Sequence, residues 1–208
     1  EGEALRSYAA KGRISRLTVG AAPAAQPGKE GVPGVRGAQL AFDLTQTGGQ
    51  ATLAIRNGAL IFPGVFEDPE VPLAALDTEL RWQLGAGGQI DIRTDRLALA
   101  NDDMAGQVKA RWRTYPGQQG AARFPGTLEL SGRLDRARGE RIERYLPLHM
   151  PHTRRYLQGA VLEGQVRQVD VRIAGDLRKI PYKDAREGTF LIVGQVSGGR
   201  LNYVPPHL

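Results

Sequence analysis

The sequence contains no cysteine, which excludes disulfide cross-links, thiolate metal ligands and a cysteine nucleophile. Aromatic residues make up only 6% of the chain, and no RNA-binding aromatic signature is present. No apolar run approaches the roughly 20 residues with which a helix crosses a bilayer. Nucleophile elbows, phosphate-binding loops and dinucleotide fingerprints are also missing. We therefore expect no enzyme activity, no catalytic residue and no cofactor.

Residues that could form a metal or acid–base site are few. His149 and His152 are three positions apart, but apart from nearby glutamates no third ligand accompanies them, so no metal site is predicted. The carboxylate pair Asp102-Asp103 stands in a turn-like context, where such side chains form local hydrogen bonds.

Strict alternation of apolar and polar residues recurs along most of the chain. Leu80, Trp82 and Leu84 alternate with polar neighbours, and Val108 and Trp112 repeat the pattern after a turn. This period of two indicates strands with one apolar and one solvated face. The 27 glycines and 13 prolines suit many turns. We predict a mainly all-β antiparallel meander of roughly a dozen strands.

Local signals refine this prediction. Asn57-Gly58 predicts a two-residue hairpin turn, and Arg96–Ala100 reads as a separate short strand. A parity change near Arg167–Gln168 indicates a β-bulge. A short helix pair is expected near 138–158, the second helix opening with Pro151 at a position that tolerates proline.

The formal net charge is +6, and most of the basic residues are arginines interleaved with acids, as on a solvated sheet face. The densest run lies in and around the predicted helices. Those arginines would either form a solvent face or bind phosphates of nucleic acid or lipid headgroups. Because Trp82 and Trp112 fall on the apolar parity, away from the basic residues, nucleic acid is the weaker of these options.

Three groups of segments resemble, in order and spacing, the YhdP branch of the AsmA-like superfamily. The first group is Phe62-Pro63-Gly64-Val65-Phe66 with Pro72-Leu73, Leu76 and Leu80-Arg81-Trp82. The second is Arg144-Tyr145-Leu146-Pro147 with Met150-Pro151, Arg155-Tyr156-Leu157 and Gly164. The third is Ile180-Pro181-Tyr182 with Gly188, Phe190, Leu201, Tyr203 and Pro205. The resemblance covers residues 60–208 well and 35–60 loosely. None of these segments is a catalytic signature.

The resemblance implies that residues 1–208 are one segment of a longer periplasmic protein anchored in the inner membrane of a Gram-negative bacterium. Such a segment would be a strongly curled β-groove whose apolar floor carries phospholipid acyl chains toward the outer membrane. Sub-units of 1–134 (β meander) and 135–208 (helix pair plus strands) are one way to divide it. Expected partners are phospholipid, neighbouring segments of the same chain and envelope proteins, without nucleic acid.

We expect the apolar parity to line this groove. Its residues are Leu40, Phe42, Leu44, Leu53, Ile55, Leu60, Phe62, Leu80, Trp82, Leu84, Ile90, Ile92, Val108, Trp112, Leu128 and Leu130. Headgroup or anion contacts are expected from Arg138, Arg141, Arg144, Arg154 and Arg155.

Alternatives to the groove stay open at this level. The apolar residues would instead pack on one another if the sheet closed into a sandwich or barrel. The segment would alternatively be a periplasmic structural or assembly module that binds proteins through sheet edges. A basic nucleic-acid-binding module is the weakest alternative.

Overall fold

The computed structural model describes residues 7–24, 29–118, 120–180 and 182–201. Its strands are β1 (Ala9–Val19), β2 (Gly34–Thr45), β3 (Gly48–Ile61), β4 (Glu70–Leu84), β5 (Ile90–Ala100), β6 (Met104–Arg113), β7 (Thr127–Arg138), β8 (Val161–Asp176) and β9 (Gly188–Leu201). Helix α1 spans Pro151–Ala160, and 3-10 helices span Ala86–Gly88, Gly120–Arg123, Gly139–Tyr145 and Leu177–Lys179.

The strands form a nine-stranded sheet whose spatial order follows the chain, with every neighbouring pair antiparallel. The predicted mainly-β antiparallel meander is therefore confirmed, with fewer strands than expected. Strands β1 and β9 each pair with one neighbour. Within the described ranges the strands thus form neither a second sheet nor a closed barrel.

The predicted hairpin at Asn57-Gly58 is wrong, because β3 continues through both residues. Asn57 has a φ of 50° and Gly37, on the neighbouring strand, a φ of 74°, and the β2–β3 register shifts between Arg36 and Ala38. A Cβ on Gly58 would lie 2.2 Å from the carbonyl oxygen of Arg36. The Asn-Gly pair therefore forms a bulge at a close approach of two strands, which requires the same backbone freedom as a turn.

Arg96–Ala100 is likewise no separate strand, since β5 runs unbroken over Ile90–Ala100. A register shift between Thr94 and Leu97 moves the apolar residues from even to odd positions inside this strand. The prediction took this bulge for the end of one strand and the start of another. The bulge predicted near Arg167–Gln168 is confirmed. The β8–β9 register shifts after Arg167, and Gln168 has a φ of 52°.

The predicted helix pair is present as the 3-10 helix Gly139–Tyr145 followed by α1. Proline at the first position of α1 costs nothing, because the first N–H groups of a helix lack intrahelical partners. Strand β7 runs from Thr127 to Arg138, so it passes through the division considered at residues 134 and 135. That division stays a prediction.

A cluster of buried apolar side chains lies in the first half of the sheet. Ala38, Ile55, Leu73 and Leu76, from β2 to β4, form a buried cluster that we call the Ile55 cluster. Partly buried residues from β1 to β5 pack against it: Leu17, Val35, Leu53, Leu60, Leu97 and Leu99. The cluster therefore ties five consecutive strands together on one face.

Candidate functional site

Apolar side chains of successive strands stand in register across the sheet. Trp82 is opposite Ile92, Ile92 is opposite Trp112, and Trp112 is opposite Leu128. Directly opposed residues point to the same face, as do residues two apart on a strand. The predicted lining residues within strands therefore share one surface, which we call the apolar face.

Exposure varies strongly across the apolar face. Ile55 is 0% exposed and Leu76 is 2% exposed, whereas Leu84, at the far end of β4, is 41% exposed. The other predicted lining residues are half-buried, including Phe62, which lies just beyond β3 and packs edge-on against Phe66. Most of the set therefore keeps hydrocarbon surface accessible, while Ile55 does not.

The opposite face of the sheet is polar and laced with ion pairs. Arg111 donates to both oxygens of Asp91, and Arg113 donates to Glu129 at 2.7 Å. The hydrogen bond from Arg111 lowers the pKa of the Asp91 carboxyl. Further pairs on this face are Lys11–Asp43, Arg56–Asp77, Arg81–Asp95 and Arg133–Asp170. This is the solvated face that the interleaved charges predicted.

Two surface depressions of about 490 and 470 Å³ share Asp43, Gln50 and Arg81 in their lining. These residues stand in register across β2, β3 and β4 on the polar parity. Asp43 is paired with Lys11, and Arg81 with Asp95. Since charge there is locally balanced, neither depression is the candidate site.

Three of the arginines predicted to contact headgroups are engaged by carboxylates. Arg138 pairs with Glu140 at 2.8 Å. Arg144 bridges Asp68 and Asp103 at 2.9 and 3.0 Å. Arg154, whose side chain is 11% exposed, pairs with Glu67 and lies 3.9 Å from Glu143. These contacts fasten the 3-10 helix 139–145 and α1 to the turns that follow β3 and β5. Their guanidinium charge is therefore largely compensated within the chain.

The remaining two predicted contacts, Arg141 and Arg155, are exposed. Neither forms an ion pair within the part of the chain that the structure describes. They stay candidate anion contacts.

A buried hydrogen-bond network anchors the helical connection. The Tyr145 hydroxyl donates to Asp103 at 2.8 Å and accepts from the Asn101 side chain at 3.0 Å. Burial, together with the hydrogen bond to Asp103, raises the pKa of Tyr145 to about 12. The Asn101 side chain also accepts from the backbone N–H groups of Asp103 and Met104. Besides the turn role expected for it, Asp103 holds Tyr145, which is distant in sequence. Local residue spacing gave no sign of this contact.

At the opposite end of the strands, the connection between β6 and β7 folds onto the apolar face; it is described over residues 114–118 and 120–126, and we call it loop 114–126. The Phe124 ring stacks on Trp112 with centroids 6.0 Å apart, and the Trp112 indole N–H donates to the Pro125 carbonyl at 2.8 Å. Phe124 is nevertheless 43% exposed. An aromatic residue within a Gly- and Pro-rich loop was the only sequence signal for this contact.

Two arginines brace the same loop through carbonyl oxygens. Arg123 donates to the Gly88 carbonyl at 2.7 Å, and its guanidinium carbon lies 5.2 Å from the Phe124 ring centroid. Arg178 donates to the carbonyls of Ala122 and Phe124 at 3.2 and 3.0 Å. Neither guanidinium group is within 4.0 Å of a carboxylate in the described residues.

Tyrosines complete this end of the sheet. Arg178 lies 4.1 Å from the Tyr115 ring centroid, and the Tyr115 hydroxyl donates to Asp176. Burial, followed by that hydrogen bond, raises the pKa of Tyr115 to about 12.

The ring of Tyr182 extends the apolar face onto β8 and β9. Gly175 and Gly188 are opposed and continue the row from Leu128. A Cβ on Gly188 would lie 2.6 Å from the Tyr182 ring, so the ring occupies the space of the missing side chains. Burial raises the pKa of Tyr182, whose buried hydroxyl has no hydrogen-bond partner among the described residues. Two glycines in register were the signal that sequence reasoning missed.

The structure offers little support for other kinds of site. Among the described residues no three His, Asp or Glu side chains converge as metal ligands. No helix in the described ranges has the length and apolar character of a membrane span.

The comparisons with known proteins agree with the resemblance. A family model described as YhdP protein matches residues 2–206. Searches among curated proteins and among solved structures gave no match. The family match covers the segments on which the resemblance was based and extends to the first strand. The chain belongs to the YhdP family.

Proposed function

We propose that this chain is a non-enzymatic lipid-transfer segment whose apolar face carries phospholipid acyl chains between the inner and outer membranes. The observation that supports this most is a continuous apolar face, mostly half-buried, on a sheet with no second sheet over it in the described residues. Family membership adds to this support. In this proposal the segment lies in the periplasm and adjoins neighbouring segments of a longer, membrane-anchored chain.

The chemistry of the face suits a sliding hydrocarbon. Burial of apolar surface contributes about 25 cal/mol per Å², without preferred direction, so an acyl chain gains similarly at successive positions. Polar side chains on the face would bind at fixed points and impede movement. The two central ones, Thr78 and Thr94, are buried and hydrogen-bond each other at 2.8 Å, which removes them as competing contacts.

A curled sheet would turn this face into a groove. Register shifts interrupt the β1–β2, β2–β3, β4–β5, β5–β6, β6–β7 and β8–β9 pairings, and bulges bend and twist a sheet. Leu17 from β1 and Leu99 from β5 both pack against the Ile55 cluster. Leu17 stands opposite Ala38 and Leu99 opposite Leu76, so side chains of five neighbouring strands pack in one row across the face.

Crosslinking from single positions tests the proposal. A photoreactive residue at Phe42 or Trp82 is expected to crosslink to phospholipid, whereas one at Gln83 is not. Gln83 neighbours Trp82 and points to the polar face, so it is a matched control. Crosslinks to polypeptide alone, at Phe42 and Trp82, would contradict the proposal.

Charge placement gives a second test. Leu84→Arg or Ile92→Arg places a cation on the apolar face and is expected to abolish lipid copurification, measured by native mass spectrometry after extraction. Gln83→Arg adds the same charge to the other face and is expected to leave it intact. Equal lipid content in all three variants would refute a role for the apolar face.

An assembly module that recruits a protein strand is the second candidate, supported by the last strand. Leu191, Ile192, Val193 and Val196 on β9 are between 41% and 56% exposed. They lie on both faces of a strand that pairs only with β8 in the described residues. Residues 188–199 of this edge carry no charged side chain, and an exposed apolar edge favours strand addition. Val193→Lys is expected to abolish polypeptide crosslinks from β9 if this candidate holds, without changing lipid content.

A further inference from the structure

Arginines at the two ends of the sheet are neutralised differently. At the helical end, Arg144 and Arg154 are surrounded by four carboxylates, those of Asp68, Asp103, Glu67 and Glu143. At the loop 114–126 end, Arg123 and Arg178 donate to backbone carbonyls instead. A carbonyl fixes the position of a guanidinium group without cancelling its charge, so positive charge persists at the loop end.

Both loop-end arginines contact Phe124: Arg178 donates to its carbonyl at 3.0 Å, and the Arg123 guanidinium carbon lies 5.2 Å from its ring centroid. The carbonyls that accept from Arg178 belong to Ala122 and Phe124, the residues on either side of Arg123. Each guanidinium group has five N–H donors, and the contacts of Arg123 and Arg178 leave several free. The Arg123 Nε, although buried, forms no hydrogen bond with a described residue.

One carboxylate, that of Asp176, lies in the same region. Its Oδ1 accepts from the Tyr115 hydroxyl and from the backbone N–H of Arg178. The neighbouring Lys179 is already paired with Glu187 at 3.4 Å. Asp176 therefore offsets part of the charge, and the two guanidinium groups still leave an excess.

This positive charge borders hydrocarbon. Arg123 lies against the Phe124 ring, and Phe124 stacks on Trp112, which stands in register with Ile92 on the apolar face. A cation pair beside an exposed aromatic stack at the edge of an apolar surface matches an amphiphile with an anionic head.

We propose that Arg123 and Arg178 bind the phosphodiester of a phospholipid whose acyl chains lie on the apolar face beside Trp112 and Phe124. The site deepens the proposed function and rests on it, and it places the headgroup contact at the loop end rather than at the helix pair. Charge-assisted hydrogen bonds from fixed guanidinium groups give preference for the phosphate, while the apolar face gives affinity for the chains.

A competition between two lipids with identical acyl chains tests this site. The protein is incubated with mixed vesicles of dioleoyl phosphatidylglycerol and dioleoylglycerol and recovered, and both bound lipids are quantified by mass spectrometry. The double variant Arg123→Gln/Arg178→Gln is expected to lower the bound ratio of phosphatidylglycerol to dioleoylglycerol by about tenfold relative to wild type. Bound dioleoylglycerol should not fall.

Matched variants separate charge, geometry and folding. Arg93→Gln/Arg172→Gln removes the same charge from two exposed arginines on the polar face and is expected to leave the ratio unchanged. Arg123→Lys/Arg178→Lys keeps the charge without the planar donor array, and an intermediate ratio is expected. Tryptophan fluorescence of the Trp112–Phe124 stack reports whether the loop is assembled. If the lysine pair keeps the wild-type fluorescence, its lipid ratio tests the site even where the glutamine pair misfolds.

The outcomes distinguish this site from the groove itself. Binding of neither lipid by the wild type would overturn the proposed function and the site together. Binding of both lipids with the same ratio in wild type and both Arg123/Arg178 variants would overturn the site alone. The site would also be overturned if inorganic phosphate suppressed phosphatidylglycerol binding as strongly as short-chain phosphatidylglycerol does. That result would indicate a general anion site unconnected to the apolar face.

Discussion

The two regions of the apolar face share a sequence pattern and differ in what covers them. Around Ile55, side chains from five strands converge and exclude water. Around Ile92, the row from Trp82 to Leu128 is half-buried, and Leu84 beyond it is largely open. The first region stabilises the sheet by burying its apolar side chains against one another, and the second region leaves apolar surface accessible.

Small residues and close strand approaches account for the difference. Ala38 is buried directly opposite Ile55, and the bulge at Asn57 brings Gly58 against β2. The large aromatic side chains of Trp82 and Trp112 instead stand on either side of Ile92, and all three residues are half-buried. Binary pattern places residues on a face, and side-chain volume decides whether the face seals.

The largest expected effect contrasts Ile55 with Ile92. Ile55→Ala removes a fully buried side chain and is expected to lower the free energy of unfolding by about 3 kcal/mol, while Ile92→Ala lowers it by about 1 kcal/mol. Urea unfolding followed by circular dichroism measures both. Equal losses would show that the open region is as tightly packed as the cluster. Reduced lipid content in Ile92→Ala but not in Ile55→Ala would further distinguish the accessible region from the Ile55 cluster.

The next effect concerns the helical end, which holds itself together through buried polar contacts. Tyr145→Phe removes the hydroxyl that donates to Asp103, a residue 7% exposed, and is expected to cost about 1–2 kcal/mol of unfolding free energy. Tyr156→Phe, at a 40% exposed position on α1, is the control and should cost nothing measurable. A neutral Tyr145→Phe would mean that Arg144 alone satisfies the Asp103 carboxylate.

Tyrosine ionisation compares both ends of the sheet. The pKa values of Tyr145 and Tyr115 are raised to about 12 in the folded protein, above the value of about 10 in an unfolded chain. Their contribution to stability is complete below about pH 10 and is lost as pH rises toward 12. Ultraviolet titration should show Tyr115, Tyr145 and Tyr182 ionising late in wild type, and one late-ionising tyrosine fewer in Tyr145→Phe or Tyr115→Phe. Normal titration of either would contradict its burial.

Sequence patterning predicted the part of this architecture that depends on local period. Alternation placed the apolar lining residues on one side, and the parity change at Arg167–Gln168 located a bulge. It failed at Asn57-Gly58, because a left-handed residue is required equally by a hairpin turn and by a bulge. Only the partner strand distinguishes the two, and one sequence does not contain the partner's position.

The candidate contacts show the same limit. Composition singled out the arginines near the helices, but the carboxylates that engage Arg144 and Arg154 lie far away in sequence. Arg123 and Arg178 drew no attention, since neither belongs to a basic run. Their significance depends on a loop that folds onto Trp112, a long-range contact that local spacing does not encode.

The smallest expected effect lies on the polar face behind the open region. Asp91→Asn removes the carboxylate that accepts from Arg111. Hydrogen bonding to Arg111 lowers the pKa of Asp91 in the folded protein. The wild-type pair therefore stabilises the fold at pH values above the pKa that this carboxyl has in the unfolded chain. This stabilisation is lost as pH falls through the folded pKa. Asp91→Asn should therefore lower the unfolding midpoint slightly at about pH 7 and less at about pH 3. Asp95→Asn, at a carboxylate that is 84% exposed, is the control and should leave the unfolding midpoint at about pH 7 unchanged. A large effect at Asp91 would mean that the polar face also holds the sheet together, which would narrow the contrast between the Ile55 cluster and the rest of the molecule.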